Sequence, residues 1–453
     1  MTTSVNDALK HSLGASATRH LQALLRLNTM TPPGNEKIAA DYIAGVIREA
    51  GIDNVQVLEA APNRATVVAR LEAENPTGRP ILLMGHTDVV TVEPERWDHD
   101  PFGGEIIDGE IWGRGALDMK GQVAAELAVF LALAKGDIAL ERDLIFVAFA
   151  DEETGGEFGA AWMWEHHRDL IDAEFAINEG GGAPLTIEDR LFYPCQAGEK
   201  GSTHLRMTVT GNPGHASVPL DITAMSKLGE AMERLHAWQG ETVFTEPVRQ
   251  MLTTIAETLG GDIAAQIDGI LGAESVSWEE LSKLPLNEDE LLLLRATTRN
   301  TAVPTMIRGG QRINVIPGEI EVDIDGRVLP GQDPEVFRAS VQEAVGDIAE
   351  ITITSPDTGV AADPASPFFD AIAEAMAELM PGSVVMPYLL SGGTDARLVP
   401  GIKTYGFFPM LPTERLRTYE PLIHGHNERI HVDDLAFATR FIYDLVVRFA
   451  ERR

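Results

Sequence analysis

Cysteine, long apolar runs and basic residues are all scarce in this chain of 453 residues. Cys195 is the only cysteine, so no intrachain disulfide can form, and we interpret it as a small buried side chain. The densest apolar run, residues 144–150, is far too short to span a bilayer. The first residues also lack the basic region and following apolar stretch that a signal peptide has. We therefore expect a cytoplasmic protein.

The charge of the chain is strongly one-sided. Asp and Glu number 69 against 36 Lys and Arg, which gives a formal net charge of −33. Nucleic acids and anionic membranes are bound by basic surfaces, so we expect neither as a partner. The same negative field would repel a polyanionic substrate, which disfavours a two-metal phosphoesterase. An apolar content of 44% is otherwise ordinary for a globular protein.

The N-terminal part of the chain alternates helical and strand patterns. Apolar residues recur with helical periodicity over residues 17–27 and 36–50, with a Pro-Pro-Gly turn between them. The elements predicted next are strands at 81–84, 144–149 and 175–177 and a helix at 120–134. This alternation predicts an α/β fold, in which a mixed, mostly parallel sheet is flanked by helices.

The pattern changes after about residue 200. Residues 319–325 alternate strictly, which is typical of an antiparallel sheet with one buried face. Further strand patterns at 205–210 and 350–354 and helical patterns at 224–238 and 333–345 complete an α+β unit. From residue 367 the first pattern resumes. We predict a catalytic domain made of residues 1–199 and 357–453, with a lid and dimerisation domain, 200–356, inserted into it.

Residues 240–297 form a helix-rich, acidic excursion within that predicted lid, and its last turn contains four consecutive leucines at 291–294. An oligomerisation surface, a wall of the substrate pocket and packing inside the lid are all consistent with this pattern. We favour packing, because leucine runs are found in cores far more often than at interfaces.

Six short motifs with acidic or histidine residues are the most informative feature of the chain. Most of them follow the end of an apolar run, which is where open α/β sheets build their sites. They are Gly85-His86-Thr87-Asp88, Leu117-Asp118-Met119-Lys120, Asp151-Glu152-Glu153, Asn178-Glu179-Gly180, Gly214-His215-Ala216-Ser217 and His424-Gly425-His426-Asn427-Glu428. Together they predict a five-ligand, two-metal site in a hydrolase.

A pair of metal ions that shares one water needs a bridging carboxylate and a nitrogen and an oxygen ligand for each ion. Asp118 is suited to bridge, since it is a short carboxylate whose two oxygens can face different ions. We predict that His86 and Glu179 complete one site, and that Glu153 and His424 complete the other. This mixed imidazole and carboxylate set predicts two Zn²⁺, with Co²⁺ or Mn²⁺ as substitutes.

Two further acidic residues have predicted roles beside the metals. Glu152 cannot easily bind the same ion as its neighbour, so we predict that it is the general base and then the general acid. Asp88 is predicted to accept the second ring N–H of His86. Taken singly, a Glu-Glu pair is usually a solvated face, and Asp88 is equally suited to cap a helix.

The histidine ligand near the C-terminus has an alternative. His426 lies two residues after His424 and is an open alternative; we prefer His424 because it stands three residues before Asn427, as in the family that the longest motifs resemble. We interpret His99 and His431 as residues that do not bind metal.

The longest motifs support a family resemblance. They are Gly85-His86-Thr87-Asp88-Val89-Val90, Trp97, Pro101-Phe102 and Trp112-Gly113-Arg114-Gly115-Ala116-Leu117-Asp118-Met119-Lys120-Gly121. In this order they resemble the co-catalytic di-zinc exopeptidase and aminoacylase family, which includes acetylornithine deacetylase, succinyl-diaminopimelate desuccinylase, glutamate carboxypeptidase and carboxypeptidase S type enzymes. Glu179 stands where aminopeptidases of this family tend to have aspartate, which favours deacylation or carboxypeptidase-like cleavage.

The resemblance implies functional residues in the lid. It implies that His215 stabilises the oxyanion, often in the partner subunit's site, and that Asn314 and Arg327 contact the substrate. Gly393, in a glycine-rich loop, would let backbone N–H groups approach the substrate. The family also implies a homodimer formed through the lid. Without the resemblance, Arg327 could equally form a surface ion pair and His215 belong to a turn.

These observations predict a metal-dependent hydrolase that cleaves an amide next to a free carboxylate, with N-acyl amino acids or short peptides as substrates. One rival is a dipeptidase that requires a free α-amino group. A rival of another class is a metal-binding scaffold without catalytic activity. Such a scaffold would be expected to lack the base or a ligand, and this sequence has them all.

Overall fold

The computed structural model describes residues 2–135 and 138–450. The chain forms two compact units. Unit 1 contains the residues up to Ala197, then Ala362–Pro387 and the residues from Thr394 onward, and unit 2 contains Gly198–Ala361 and Tyr388–Gly393. The predicted lid, residues 200–356, falls within unit 2, and its role as an inserted lid stays a prediction.

The helices and strands are numbered here in chain order. The helices are α1 (Thr2–Leu25), α2 (Lys37–Glu49), α3 (Lys120–Leu133), α4 (Ala160–His166), α5 (Arg168–Ile171), α6 (Ala224–Ala237), α7 (Glu246–Leu259), α8 (Gly261–Gly272), α9 (Trp278–Leu281), α10 (Glu288–Thr297), α11 (Pro334–Val345), α12 (Pro367–Leu379), α13 (Leu416–Tyr419) and α14 (Val432–Ala450). The strands are β1 (Val55–Ala61), β2 (Arg64–Leu71), β3 (Ile81–His86), β4 (Ile106–Ile107), β5 (Glu110–Trp112), β6 (Leu144–Phe149), β7 (Phe175–Asn178), β8 (Leu185–Ile187), β9 (Arg190–Glu199), β10 (Gly201–Ser202), β11 (His204–Thr210), β12 (Gly214–His215), β13 (Thr301–Gly309), β14 (Val315–Ile316), β15 (Glu319–Val328), β16 (Glu350–Ser355), β17 (Val360–Ala361), β18 (Val384–Leu390), β19 (Lys403–Gly406) and β20 (Arg429–His431).

A large mixed sheet is the centre of unit 1. Its strand order is β1-β2-β6-β3-β7-β19-β9, and β8 and β18 also pair with β9. The four central strands, β6, β3, β7 and β19, are parallel, whereas the strands on either side of them are antiparallel. Every residue of β3 and β6 is buried, as expected for strands covered on both faces. The predicted class, a mixed and mostly parallel sheet flanked by helices, is confirmed.

Helices α1, α3 and α14 pack against one another beside this sheet. Thirteen of the residues of α3 are buried, so it is an interior helix. Helix α1 is longer than the predicted 17–27, because it extends back to Thr2. A Cβ added at Gly14 would lie 2.7 Å from the Cβ of Ala436, so glycine allows α1 to approach α14 closely. The buried Cys195 in β9 agrees with its predicted place in the core.

Unit 2 contains a separate antiparallel sheet, which confirms the predicted class of this region. Strand β15 pairs with β13 on one side and with β11 on the other, and β16 pairs with β11. Burial alternates along β15, where Ile320, Val322 and Ile324 face the core. Helices α6 and α11 cover that face with apolar side chains, among them Leu235 and Phe337.

The excursion at 240–297 contains helices α7 to α10, as its composition predicted. The leucine run at its end does not pack as a whole. Leu294 is buried, but Leu292 is 60% exposed and Leu293 is 38% exposed, so the preferred interpretation of the run as core was wrong for these two residues. Four consecutive leucines on a helix cannot all face one side, because successive side chains are rotated by about 100° around the helix axis.

Within residues 2–135 and 138–450, no helix combines the length and apolar character that crossing a membrane requires.

Candidate metal centre

The predicted ligands of unit 1 lie at one edge of its sheet. His86 is the last residue of β3, and Glu179 directly follows β7. Glu153 lies in a 3₁₀ turn after β6. Because β6, β3 and β7 are parallel neighbours, their carboxyl ends deliver these side chains to the same edge. Asp118 precedes α3, and His424 belongs to the loop before β20.

Asp118 lies between two histidine-containing clusters. Its Oδ1 is 3.2 Å from Nε2 of His86, and its Oδ2 is 3.1 Å from Nε2 of His424. Nε2 of His86 is also 3.8 Å from Oε1 of Glu179, and Nε2 of His424 is 3.0 Å from Oε2 of Glu153. The two oxygens of one carboxylate therefore face two separate sets of potential ligands, each with one imidazole and one further carboxylate.

Negative charge at this centre is poorly compensated by the protein itself. Burial lowers the pKa of His86, but the hydrogen bonds with Asp118 and Asp88 and the charges of Glu179 and Asp88 together outweigh this and raise the pKa well above the ordinary value. Hydrogen bonds with Asp118 and Glu153 raise the pKa of His424 to about 10. Burial raises the pKa of Glu179 well above its usual range. The raised pKa values of the two histidines reflect a surplus of carboxylates around them, which bound cations would relieve.

Glu152 lies next to this cluster and differs from its neighbour Glu153. Its carboxylate lies within 4.8 Å of ligand atoms of His86 and Glu179. Burial, together with the negative charge of Glu153, raises the pKa of Glu152 to about 7, although the charge of His86 opposes this. A carboxyl group with such a pKa can accept and release a proton near neutral pH.

Asp88 and Asp151 position the turn that carries the two glutamates. The carboxylate of Asp88 accepts hydrogen bonds from the backbone N–H of Glu152 and Glu153, both at 3.1 Å. Nδ1 of His86 lies 3.0 Å from the carbonyl oxygen of Asp88 and 3.5 Å from its carboxylate. Asp151 adopts a left-handed φ of 71° and accepts hydrogen bonds from Arg64 at 2.5 Å and from the backbone N–H of Phe158 at 2.9 Å. The sequence predicted a contact between Asp88 and His86 but not the bonds of Asp88 to the glutamate backbone.

Glu428 is a functional residue that we did not single out from the sequence. It is fully buried, and its Oε1 accepts hydrogen bonds from the backbone N–H of Leu117 at 2.7 Å and of Asp118 at 3.0 Å. Its Oε2 accepts from the N–H of Gly115 at 2.9 Å and from Nη1 of Arg114 at 2.6 Å. Glu428 therefore holds the loop that presents Asp118, the carboxylate that we predict to bridge the metals. Its position in the last motif was the available signal.

Asp395 adds a further buried carboxyl group near the same centre. It is 2% exposed, and neither of its oxygens has a hydrogen-bond partner among the residues that the structure describes. Burial, and then the charge of Glu152, raises the pKa of Asp395 well above its usual range. It follows the glycine-rich motif, where only Gly393 was singled out from the sequence.

The donor set fits two divalent cations. Asp118 offers one oxygen to each cluster, and Oε1 of Glu153 is buried without a hydrogen-bond partner among the described residues. His86, Asp118 and Glu153 offer ligand atoms that all lie within 4.8 Å of one another, as do His86, Glu152 and Glu179. Imidazole nitrogens with carboxylate oxygens are the ligands that catalytic zinc sites use.

The remaining histidines have other surroundings. His99 packs edge-on against Trp112, with ring centroids 4.5 Å apart. Nδ1 of His431 lies 3.4 Å from a carboxylate oxygen of Asp433. In the described part of the chain, the contacts to Asp118 and Glu153 are made by His424, and no contact of His426 with these carboxylates is found.

The residues that the resemblance implied for the lid belong to unit 2. His215 is exposed on β12, which pairs with β14, and the backbone N–H of Ala216 donates to the carbonyl oxygen of Asn314 at 3.0 Å. The structure thus brings His215 and Asn314 together at a small two-stranded antiparallel sheet. The side-chain hydroxyl of Ser217 lies 2.7 Å from Nδ1 of His215. Gly393 lies in the loop after β18 and is half-buried.

Arg327 has protein partners within unit 2. Its Nε donates to Oδ1 of Asp325 at 2.7 Å and its Nη2 donates to Oδ2 at 3.1 Å, while Nη1 donates to the hydroxyl of Ser202 at 2.6 Å. Asp325 therefore binds the guanidinium group with both oxygens, in the arrangement that a substrate carboxylate would use. The sequence did not predict this partner, although Asp325 lies two residues away, on the same face of β15.

Comparison with known proteins identifies the family. A family model described as peptidase family M20/M25/M40 matches residues 82–448. Aminoacylase-1B of Rattus norvegicus is 28% identical over 419 residues, which covers 90% of this chain and 88% of that protein. N-fatty-acyl-amino acid synthase/hydrolase PM20D1 of Homo sapiens is 26% identical over 393 residues, which covers 83% and 75%. A solved M20 family metallo-carboxypeptidase from Sulfolobus solfataricus matches with a TM-score of 0.70 and 19% identity over 95% of this chain and 98% of that one, which supports the fold.

The fold and the paired clusters define a metal-dependent hydrolase. The chain belongs to peptidase family M20/M25/M40, and it is a metallohydrolase of the aminoacylase and carboxypeptidase-like type. The family resemblance and the enzyme class predicted from the sequence are thereby confirmed. The family implies a dinuclear metal site and small-molecule substrates.

Proposed function

We propose that the protein hydrolyses the amide bond of N-acyl amino acids, with short peptides that end in a free carboxylate as the related substrates. The observation that supports this most directly is Asp118, whose two oxygens face two ligand clusters beside Glu152. The similarity to aminoacylase-1B over 90% of the chain favours acyl groups over peptides.

The protein's own groups supply the proton transfers of this reaction. Two divalent cations held by the predicted ligands would polarise the substrate carbonyl and acidify a water molecule. Glu152 takes the proton from the attacking water and later donates it to the departing amine. Asp88 keeps the backbone of Glu152 and Glu153 in place through its two hydrogen bonds. We propose Zn²⁺ as the metal, with Co²⁺ or Mn²⁺ as substitutes.

We propose that residues 200–356, within unit 2, form the lid and select the substrate. His215 would stabilise the oxyanion, Asn314 would contact the substrate, and Arg327 would bind its free carboxylate. Gly393 would allow a close approach of backbone N–H groups. The outer strand β13 has exposed apolar side chains, including Met306 at 52% and Ile307 at 60% exposure, and this supports a homodimer formed through unit 2.

The substrate class is tested with four compounds that share one amino acid. The metal-loaded protein is given an N-acetyl amino acid, its C-terminal amide, and a dipeptide with and without an acetyl group on its amine. We expect fast cleavage of the acetylated acid and a loss of at least about tenfold for the amide, because one charge-assisted interaction is missing. Cleavage of the free dipeptide but not of the acetylated one would establish the dipeptidase instead.

One isosteric variant distinguishes an active enzyme from an inactive scaffold. Glu152→Gln keeps the shape of the base but removes its proton-accepting charge, so kcat should fall by about 10²–10⁴ while the metal content stays at two ions per chain. Glu157→Gln, an exposed residue five positions later, is the matched control and should be fully active. Equal turnover by Glu152→Gln would reject the proposed base.

A further inference from the structure

A second concave site lies entirely within unit 2, between the end of α6, the end of α10 and the start of β13. Its volume is about 380 Å³, within the range of small-molecule pockets. Its walls are largely apolar and include Met232, Leu235, Trp238, Leu292, Val303 and Pro304. None of the residues that we assign to the metal centre or to substrate binding lines it.

The charge of this cavity is opposite to that of the whole chain. Acidic residues number 69 in the sequence, yet none of them lines the cavity, whereas Arg295 and Arg299 both do. In the part of the chain that the structure describes, neither arginine forms an ion pair with a carboxylate. A pair of cations without acidic partners in so acidic a protein indicates a place for an external anion.

Arg299 is the most constrained of these cations. It is 5% exposed, and its partners are neutral, namely Oε1 of Gln239 at 3.0 Å and Oγ1 of Thr242 at 3.3 Å. Its Nε is buried and has no hydrogen-bond partner among the described residues. Burial and the nearby charge of Arg295 both lower the pKa of Arg299. A buried guanidinium group without a counter-ion is costly, and an anion that entered the cavity would offset that cost.

Two further contacts fix the positive side of the cavity. The guanidinium carbon of Arg295 lies 5.3 Å from the ring centroid of Trp278, which holds this side chain in place. The buried ammonium group of Lys200 donates to the carbonyl oxygens of Ala296 and Arg299, both at 2.8 Å. Lys200 thereby anchors the segment that carries Arg299.

We propose that this cavity binds an aliphatic carboxylate. The carboxylate group would be held by Arg295 and Arg299, whose planar guanidinium groups suit two-oxygen anions, and the tail would lie against Leu235 and Trp238. The apolar walls favour such a ligand over inorganic phosphate, and the two arginines favour it over a neutral lipid. The site is independent of the proposed function, because it uses no residue of the metal centre.

The test measures octanoate binding to the metal-loaded full-length protein by calorimetry, with octan-1-ol, acetate and inorganic phosphate as probes that lack one feature each. We expect saturable binding of octanoate and at least about tenfold weaker binding of the other three, since each loses either the charged hydrogen bonds or the apolar contact. Absence of octanoate binding, or equal binding of octan-1-ol or of phosphate, would overturn the proposal.

Single substitutions test whether octanoate binds in this cavity. Arg295→Gln should weaken octanoate binding about tenfold, and Val303→Glu, at an exposed position of the cavity wall, should weaken it by a similar factor through charge repulsion. Arg249→Gln, an exposed arginine of α7 outside the cavity, should change nothing. Arg327→Met should also leave octanoate binding intact, and a loss there would place the ligand in the substrate site instead. Unchanged affinity in both Arg295→Gln and Val303→Glu would contradict the proposal.

Discussion

Unit 1 and unit 2 contain opposite charge imbalances. At the metal centre, carboxylates such as Asp118 and Glu179 outnumber the cationic groups around them, and burial raises the pKa of several of them. In the cavity of unit 2, Arg295 and Arg299 face apolar walls without a carboxylate in the lining. Each imbalance costs stability in the unliganded protein, and a ligand of opposite charge relieves it. The surplus of charge around a site, rather than the net charge of the chain, therefore indicates which ligands that site binds.

Removal of the shared carboxylate is the most severe way to disturb the metal centre. Asp118→Asn leaves an amide that cannot offer a negative oxygen to both clusters, so we expect the metal content to fall from two ions and hydrolysis to fall to the level of the chelated protein. Elemental analysis and a hydrolysis assay measure both. Asp41→Asn, on the exposed face of α2, serves as the control. Full metal occupancy in Asp118→Asn would refute the bridging role.

A milder change tests the hydrogen bonds that position the same carboxylate. Glu428→Gln loses charged hydrogen bonds to the loop of Asp118, so we expect metal affinity to fall about 10–100-fold, with activity largely restored at saturating metal. Metal titration followed by activity measures this. Glu110→Gln, which removes a partly buried ion pair with Arg429 in the neighbouring strands, should leave metal affinity unchanged. An equal loss in both variants would mean a general effect on folding.

Unit 2 offers a test of its buried cations through the pH dependence of stability. Burial, and then the charge of Arg327, lowers the pKa of Lys200 from 10.5 to about 7. Between these values the unfolded chain binds a proton that the folded chain does not, so the free energy of unfolding should rise with pH by up to ~1.4 kcal/mol per unit from this residue. Lys200→Met should remove this slope.

The measurement is the free energy of unfolding of the full chain by denaturant between pH 7 and pH 10, for the native protein and for Lys200→Met. Lys283→Met, at a position that is 61% exposed, is the control and should retain the slope. Parallel slopes in the native chain and in Lys200→Met would show that Lys200 stays charged when folded.

Removal of the ion-pair partner of Arg327 should change only KM, and by a small factor. Its guanidinium group is bound by both oxygens of Asp325, which a substrate carboxylate would have to displace. Asp325→Asn should therefore lower KM for an N-acyl amino acid by up to about fivefold, the worth of a partly exposed ion pair, and leave kcat unchanged. Asp323→Asn, which removes a similar pair with Arg308, should not alter KM. A higher KM in Asp325→Asn would show that Asp325 orients Arg327 for the substrate.

Local patterns predicted much of the fold. Helix α11 was predicted nearly to the residue, and the strict alternation of β15 located its start at Glu319 but not its last three residues. The N-terminal half of α1 was missed, because small and polar residues around Gly14 give it little apolar periodicity, and its helical form depends on packing against α14. The exposure of Leu292 was missed for a related reason, since composition does not tell which side of a helix meets a neighbour.

The candidate site was predictable where the motif itself contains the ligand. His86 ends an apolar strand and Asp118 stands just before a helix, so the local sequence pattern around each residue reveals it. The partners of Glu428 lie more than 300 positions earlier in the chain, and no local pattern connects Glu428 to the N–H groups that it accepts from. Arg299 was overlooked for the opposite reason, because an arginine in an acidic chain is normally paired, and only the structure reveals that it is not.

The contact between Glu428 and the loop of Asp118 also has a consequence for synthesis of the protein. His86 and Asp118 leave the ribosome long before His424 and Glu428 do, yet the loop of Asp118 is held by Glu428 and the second cluster needs His424. A nascent chain that stops before residue 424 therefore lacks a histidine ligand and the support of the bridging carboxylate. Under the proposed ligand assignment, both metal clusters can be complete only after residue 428 has been translated, so uptake of two ions would report that synthesis has passed this point.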